Sequence, residues 1–412
     1  MQLSRLLLSY PLHRAAVAGL SFGAAIIGAR YLPAEQFSTV MSAAFLVKFL
    51  IILNFGATPG YFVSRYAKQG PLAQERGGEE RRYLQFFGVQ LVGFGLLLVA
   101  ASLLWLPEYL VGAIAFVLVA PVFAVEPYLR YRRNFSFSLT PDLLLTIGMF
   151  GLIGLQLAET AMITAYLGLI GAFSALLWIL AMRSKIPEKG EAQFGFREYR
   201  RVLAQGGPLY IASALFLLAS SMDRLLLPLY GGDEQVSIYF LAHQLSLGSM
   251  IFVTAINFVN TVNLGEARQD HAVVDPKMVF GKLRTAALVA LGSYAALVIA
   301  VYVLESVFLP ETFDGLAWVA FILGAGLSLF FTSNAITPLV AYFHRQVPLS
   351  IAMGAVAVAL TGNNALVYLN GFGAFGLAVG TSAALAAYAG FAIWFTFHVL
   401  RHQGERPPAH VN

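Results

Sequence analysis

Four ionisable side chains interrupt long apolar stretches of this sequence: Arg30, Lys48 and the adjacent pair Asp223 and Arg224. Cations in apolar surroundings attract phosphates or carboxylates, whereas a lone acid there can hold a proton or a small cation. Lys48 stands about ten residues into a stretch beginning near Ser38, so it lies roughly 15 Å deep at 1.5 Å per residue and cannot readily snorkel. Arg224 lies about six residues, roughly 9 Å, from the end of its stretch, and Arg30 sits at the very end of another, where anchoring at an interface is the expected role. Neighbouring helical residues point about 100° apart, so Asp223 and Arg224 are not expected to satisfy each other. Ser213, Ser220 and Asp223 share one helical face and read as a hydrated stripe. Uncharged polar groups also collect late in the chain, namely Asn257, Asn260, Asn334, Asn363 and Asn364; interhelical hydrogen bonding is their default role and sugar recognition the second.

Nucleophilic and metal chemistry find little here. Cysteine is absent, which removes thiolate nucleophiles and Cys-based metal sites. His243, the single intramembrane histidine, has no evident acid partner and reads as a hydrogen-bonded helix residue. Glu126 and Asp142 flank the Arg130, Arg132 and Arg133 cluster and read as ion-pair partners rather than a proton relay.

The elements that must carry these groups follow from composition. Of 412 residues, 58% are apolar or aromatic and 11% are charged, less than half the roughly 25% charge of soluble domains. A soluble enzyme, a disordered chain and a collagen-like repeat are thereby excluded, and a polytopic membrane protein remains. A bilayer core of about 30 Å needs roughly 20 apolar residues per helix. Twelve stretches meet that length, near 10–30, 38–60, 84–105, 109–128, 138–158, 160–182, 206–230, 237–262, 285–305, 316–341, 348–369 and 374–398.

Alternate connections carry 23 of the 26 Lys and Arg residues, and those between them carry none. The positive-inside rule therefore predicts cytoplasmic N- and C-termini, as an even number of spans requires. The net charge of +5 follows from this topology and does not call for a nucleic-acid partner. The basic start of residues 1–30 precedes a stretch of full spanning length, so a retained first helix is expected rather than a cleaved signal.

An offset of 199 aligns Tyr31, Glu35, Gln36, Ser38, Ala43 and Leu46 with Tyr230, Glu234, Gln235, Ser237, Ala242 and Leu245. The polar core of that match predicts a duplication of six spans, hence two lobes in parallel orientation related by an axis along the membrane normal. The predicted fold is all-α with twelve transmembrane helices. Residues 1–190 form an N-terminal six-helix lobe that includes the start of a linker, and 191–412 form the C-terminal one.

Two segments carry a resemblance. GLSFGAAIIGARYLPAEQFSTV is similar to the opening of polysaccharide transporters, and ASSMDRLLLPLYGGDEQVSIYFLAHQL is similar to the Asp-Arg and Tyr signature that begins their second half. The chain resembles the O-antigen and exopolysaccharide flippases, within the superfamily that also holds MATE exporters and the lipid II flippase. It departs from their pattern in Ser38 after Phe37, where Gly is common, and in Pro33 and Ala34. Twelve spans match polysaccharide flippases and MATE exporters better than the lipid II flippase, which usually carries two more.

The resemblance implies a V-shaped cavity between two six-helix lobes in the plasma (inner) membrane, with no cofactor. It also implies a polyprenyl-diphosphate-linked oligosaccharide as cargo, a proton or sodium ion as coupling partner, and polysaccharide polymerase machinery nearby. Lys48, Arg224 and, more weakly, Arg30 would then attract the diphosphate. Asp223, with Ser220, Asn257, Asn334, Asn363 and Asn364, would line the cavity. A MATE-like cation exporter is the alternative, with Asp223 the only acid well inside a span. A membrane glycan polymerase or ligase is a third reading, disfavoured because every outer connection is short and base-free, and a glycosyltransferase would need a cytoplasmic domain that this sequence lacks.

Overall fold

The computed structural model describes residues 19–55, 77–119, 159–183, 221–257, 274–343 and 347–402, with isolated positions between them. All regular elements among these are helical. The chain divides into two compact units, Met1–Leu217 and Leu218–Asn412, each described here by itself.

In the first unit, α1 covers 19–31 and α2 spans Ala34–Phe55. Pro33 separates them. It has no N–H to continue α1, whose last turn closes with Leu32 N–H donating to Gly28 O at 2.9 Å, yet its carbonyl accepts from Phe37 N–H at 3.0 Å and opens α2. Glu35 in the first turn of α2 suits the positive end of the helix dipole. Next come α3 (Gly77–Trp105), α4 (Pro107–Val119, opening on a short 3-10 turn) and α5 (Glu159–Arg183). Their interior is aromatic, with Phe37, Phe87 and Phe116 fully buried and Phe94 edge-on to Phe116 at 6.1 Å. Gly112 brings α4 against α2, since a Cβ there would come within 2.7 Å of the Leu46 side chain.

The second unit runs through α6 (Met222–Leu226), α7 (Asp233–Ser249), α8 (Ile251–Asn257) and α9 (Pro276–Val303). It continues with α10 (Leu316–Ser333), α11 (Pro338–Tyr342), α12 (Val347–Asn370) and α13 (Gly373–Arg401). The central helix is α10, which packs against α13, α9 and α7. The closest approach of α10 and α13 is at Gly326, where a Cβ would lie 2.5 Å from the Ser382 Cα, and the Ser382 hydroxyl donates to Ile322 O at 2.5 Å. On the outside, Leu288, Leu291 and Ile299 of α9 are exposed, the surface expected of a helix bathed in lipid.

Five helical stretches are long and apolar enough to cross a membrane, namely Leu84–Trp105, Pro276–Phe308, Glu311–Val340, Val347–Asn370 and Gly373–Arg401. The protein is thus a multi-pass membrane protein. Each of the five overlaps a sequence-predicted span, four of them with ends within about five residues, while Pro276–Phe308 begins nine residues before the predicted 285–305; the span near 138–158 and the residues Glu126 and Asp142 lie outside the described residues.

Two predicted spans are not straight. The one near 237–262 is bent by 46° between α7 and α8. Gly248 and Ser249 sit at the break, where the Ser249 hydroxyl donates to Ser246 O at 2.8 Å and competes with the helical ladder. The span near 206–230 ends as α6 and then a 3-10 turn over Leu227–Leu229 with Pro228 at its centre, because proline cannot supply the next α-helical donor.

Five of the six pairs aligned by the internal offset have the same degree of exposure, while Tyr31 is exposed and Tyr230 half-buried. Glu35 and Glu234 are exposed, and Gln36 and Gln235 are half-buried; Ser38 and Ser237, Ala43 and Ala242, and Leu46 and Leu245 are buried.

Candidate functional site

The site forms where the short helix α6 meets α7 and α13. Asp223 is the second residue of α6 and is wholly buried. A carboxylate without water needs several donors, and three hydrogen bonds and one ion contact converge on it. Its Oδ2 accepts from the Tyr239 hydroxyl on α7 and from Thr381 Oγ1 on α13 at 3.3 Å. Its Oδ1 accepts from the Arg224 backbone N–H at 2.8 Å and lies 3.8 Å from Arg224 Nε. Tyr239 and Thr381 are themselves 3.2 Å apart through their hydroxyls, so the three oxygens form a closed triangle in the interior.

The expectation that Asp223 and Arg224 cannot reach each other is corrected here. The α carbons do point apart, but α6 begins only at Met222, after Ser221 with φ −140° and ψ −7°. At this helix start the Asp223 side chain folds back onto the N–H of the next residue, and the Arg224 guanidinium lies beside it. Arg224 Nη2 also donates to Ser221 Oγ at 3.4 Å. With the Asp223 side chain fully buried and that of Arg224 13% exposed, only the cation retains a path outward.

A second polar patch adjoins through α12. The Tyr230 hydroxyl donates to Asn364 Oδ1 at 2.7 Å, and Asn364 Nδ2 donates back along its helix to Leu360 O at 2.8 Å. Tyr230 also packs edge-on to Tyr368 at 5.6 Å. His243 is buried one turn beyond Tyr239, with its ring tilted against the phenol at 6.3 Å.

The remaining predicted residues take separate positions. Asn257 is buried and donates to Phe331 O at 2.7 Å, which ties α8 to α10. Asn334 ends α10, its backbone N–H donating to Phe330 O at 3.2 Å. Asn363 donates weakly to Leu377 O at 3.4 Å, joining α12 to α13. In the first unit, Arg30 is exposed at the end of α1. Lys48 falls within α2, but its side chain lies outside the described residues, as do Ser213 and Ser220.

Two members of the site were not singled out in the sequence, Tyr239 and Thr381. The signal for Tyr239 was present, because it lies in the quoted second-half segment, sixteen residues after Asp223. Thr381 sits 158 residues away in an apolar helix with no local mark. Gln235 was singled out only as a repeat match; its Oε1 accepts from Ala374 N–H at 2.8 Å and caps the start of α13, where Gly373 holds φ +57°.

Comparison with known proteins places the fold. No family model matches the sequence, and no curated protein does. Solved structures do match over nearly the whole chain. An inward-facing multidrug resistance MATE family transporter of the MOP superfamily aligns with a TM-score of 0.72 and 14% identity, over 97% of this chain and 98% of that one. The lipid II flippase MurJ in an inward closed conformation aligns with a TM-score of 0.71 and 15% identity, over 96% and 90%. A MOP superfamily transporter from Pyrococcus furiosus, described as having a binding pocket of reversed polarity, gives 0.61 at 14% identity, over 98% and 96%. The chain has the fold of MOP-superfamily transporters.

Proposed function

We propose that this protein is a flippase that moves a polyprenyl-diphosphate-linked oligosaccharide, an O-antigen or exopolysaccharide repeat unit, from the cytoplasmic to the outer leaflet by alternating access. The observation that carries this reading is the Asp223–Arg224–Tyr239 constellation. The residues of the second-half signature that resembles polysaccharide transporters form one bonded unit, and the fold is shared with a lipid II flippase.

In this reading the chain consists of two six-helix halves, 1–190 and 191–412, and the like exposure of five of the six offset-related pairs supports a duplication. Arg224 and Lys48, with Arg30 as a weaker third, neutralise the diphosphate while the lipid tail stays in the bilayer. Asp223 keeps Arg224 oriented and is the group through which a proton or sodium ion would couple. No cofactor enters, polysaccharide polymerase machinery receives the product, and transport rather than catalysis is the activity. The test is a deletion strain, in which lipid-linked oligosaccharide accumulates in the inner leaflet; normal outer-leaflet glycan in that strain would refute the proposal.

A cation exporter is the second reading, favoured by the similarity to MATE structures and by the buried Asp223. Loss of cationic-dye export on deletion, with glycan export intact, would decide for it.

A further inference from the structure

The last helix ends in a pair of imidazoles that takes no part in the Asp223 cluster. His398 lies in the final turn of α13 and His402 caps that helix, four residues on. Residues at this spacing share one helical face and can act on one ligand. Three observations give the pair its character.

The first is distance. The two rings have centroids 4.4 Å apart and planes tilted by 44°. Imidazole nitrogens bind a transition-metal ion at about 2.0–2.1 Å, so two rings held on one ion at roughly a right angle have centroids about 4.5 Å apart. The pair is therefore already spaced as a chelate.

The second is orientation. His402 Nδ1 donates to His398 O at 2.9 Å, which fixes the tautomer and leaves Nε2 with the lone pair that a metal ion needs. The His398 ring stacks on Trp394 at 5.6 Å and on Phe395 at 6.3 Å, so its side chain has little freedom left to lose on binding.

The third is access and field. His398 is exposed and His402 is half-buried. The predicted span 374–398 ends at His398, so the pair stands at the edge of the apolar stretch, where an aqueous ion can reach it. The last turn of α13 presents the negative end of the helix dipole, which favours a cation and opposes the repulsion from neighbouring Arg401.

We infer that His398 and His402 form a chelating site for one divalent transition-metal ion of the kind that imidazole prefers, such as Ni²⁺, Cu²⁺ or Zn²⁺. Each histidine contributes one ring nitrogen. No cluster of three His, Asp or Glu ligands occurs among the described residues, so water fills the remaining positions. The bound ion closes a ring across the last turn and holds α13 helical to its end, because it binds the two residues only when that turn is formed. The site is separate from Asp223 and Arg224 and does not depend on the glycan assignment.

The test uses the full-length protein, purified in detergent through an affinity tag without histidine and titrated with Ni²⁺ by calorimetry. One saturable equivalent per chain is expected. His398→Gln and His402→Gln should each weaken it at least tenfold, whereas His410→Gln, beyond α13 in the sequence, should leave it unchanged. Trp394, one of four tryptophans, reports where the ion sits. Ni²⁺ should quench part of the tryptophan fluorescence saturably, and that quench should vanish in Trp394→Phe while the calorimetric equivalent remains. Melting curves without metal check that each variant is folded; if His402→Gln unfolds, His398→Gln and the quench carry the test. Absence of a saturable equivalent, unchanged affinity in folded His398→Gln, or a quench that persists in Trp394→Phe would each overturn the inference.

Discussion

The Tyr239 hydroxyl on α7 donates to the Asp223 carboxylate on α6, and Thr381 on α13 bonds to the same oxygen, so one buried acid joins three helices. All three partners are nearly or fully removed from solvent, which makes each bond expensive to leave unmade.

Removing one donor therefore has a definite consequence. Tyr239→Phe leaves a lone pair of Asp223 unsatisfied and should destabilise the second unit by about 1–3 kcal/mol. Thr381→Val should have a similar but smaller effect. Because both bind Oδ2, the double variant should depart from additivity, and thermal or denaturant unfolding of the purified protein measures this. Additive losses would mean that the two hydroxyls act independently.

Asp223 itself separates charge from shape. Asp223→Asn keeps the volume and some hydrogen bonding but withdraws the negative charge beside Arg224. Asp223→Ala withdraws both and should be the more destabilising, by about 3–5 kcal/mol where the partner charge stays buried. If coupling runs through Asp223, Asp223→Asn should lose ion dependence of transport while remaining folded. Retained ion dependence in that variant would exclude Asp223 from coupling.

Replacement of the cations tests the cargo reading directly. Arg224→Gln and Lys48→Ala should each reduce export of lipid-linked glycan by about tenfold or more, the effect of losing one charge-assisted contact worth about 1.4 kcal/mol. Arg30→Gln should have less effect, since Arg30 is exposed at the end of α1. Normal export with Lys48→Ala would remove Lys48 from the site.

Packing of α10 on α13 predicts a contrast between glycines. Gly326→Ala places a methyl 2.5 Å from the Ser382 Cα and should cost about 1–3 kcal/mol by forcing the helices apart. Gly292→Ala meets nothing within 4 Å and should be neutral or slightly stabilising, since alanine is the better helix former. Melting temperatures of the two variants should move in opposite directions or differ by several degrees.

Glu305 supplies a further check on local order. Its Oε1 accepts from Gly315 N–H at 2.7 Å and its Oε2 from Ala317 N–H at 2.5 Å, so it caps the start of α10 from across the turn. Glu305→Ala should cost about 1–2 kcal/mol and raise hydrogen exchange at residues 315–317. Unchanged exchange there would show that the cap is dispensable.

The sequence by itself determined those properties that depend on composition along the chain. The low charge and long apolar stretches required membrane helices, and the five long apolar helical stretches among the described residues overlap those stretches because hydrophobic length is a local quantity. The offset match was legible because its Glu-Gln-x-Ser core is polar, and five of its six aligned pairs have the same degree of exposure. Asp223 and Arg224 were visible as charges out of place.

Tertiary structure decided what those charges touch. Asp223 and Thr381 are 158 residues apart, and no periodicity in an apolar helix marks one threonine as a carboxylate partner. The expectation that Asp223 and Arg224 would stand apart rested on an unbroken helix, whereas α6 starts one residue before Asp223 and its carboxylate accepts from the next N–H. The bend after Ser249 likewise depends on a hydroxyl's choice between solvent and its own backbone, which the surrounding helices settle. Hydrophobic length is written residue by residue, but the partner of a buried charge is set by which helices pack together.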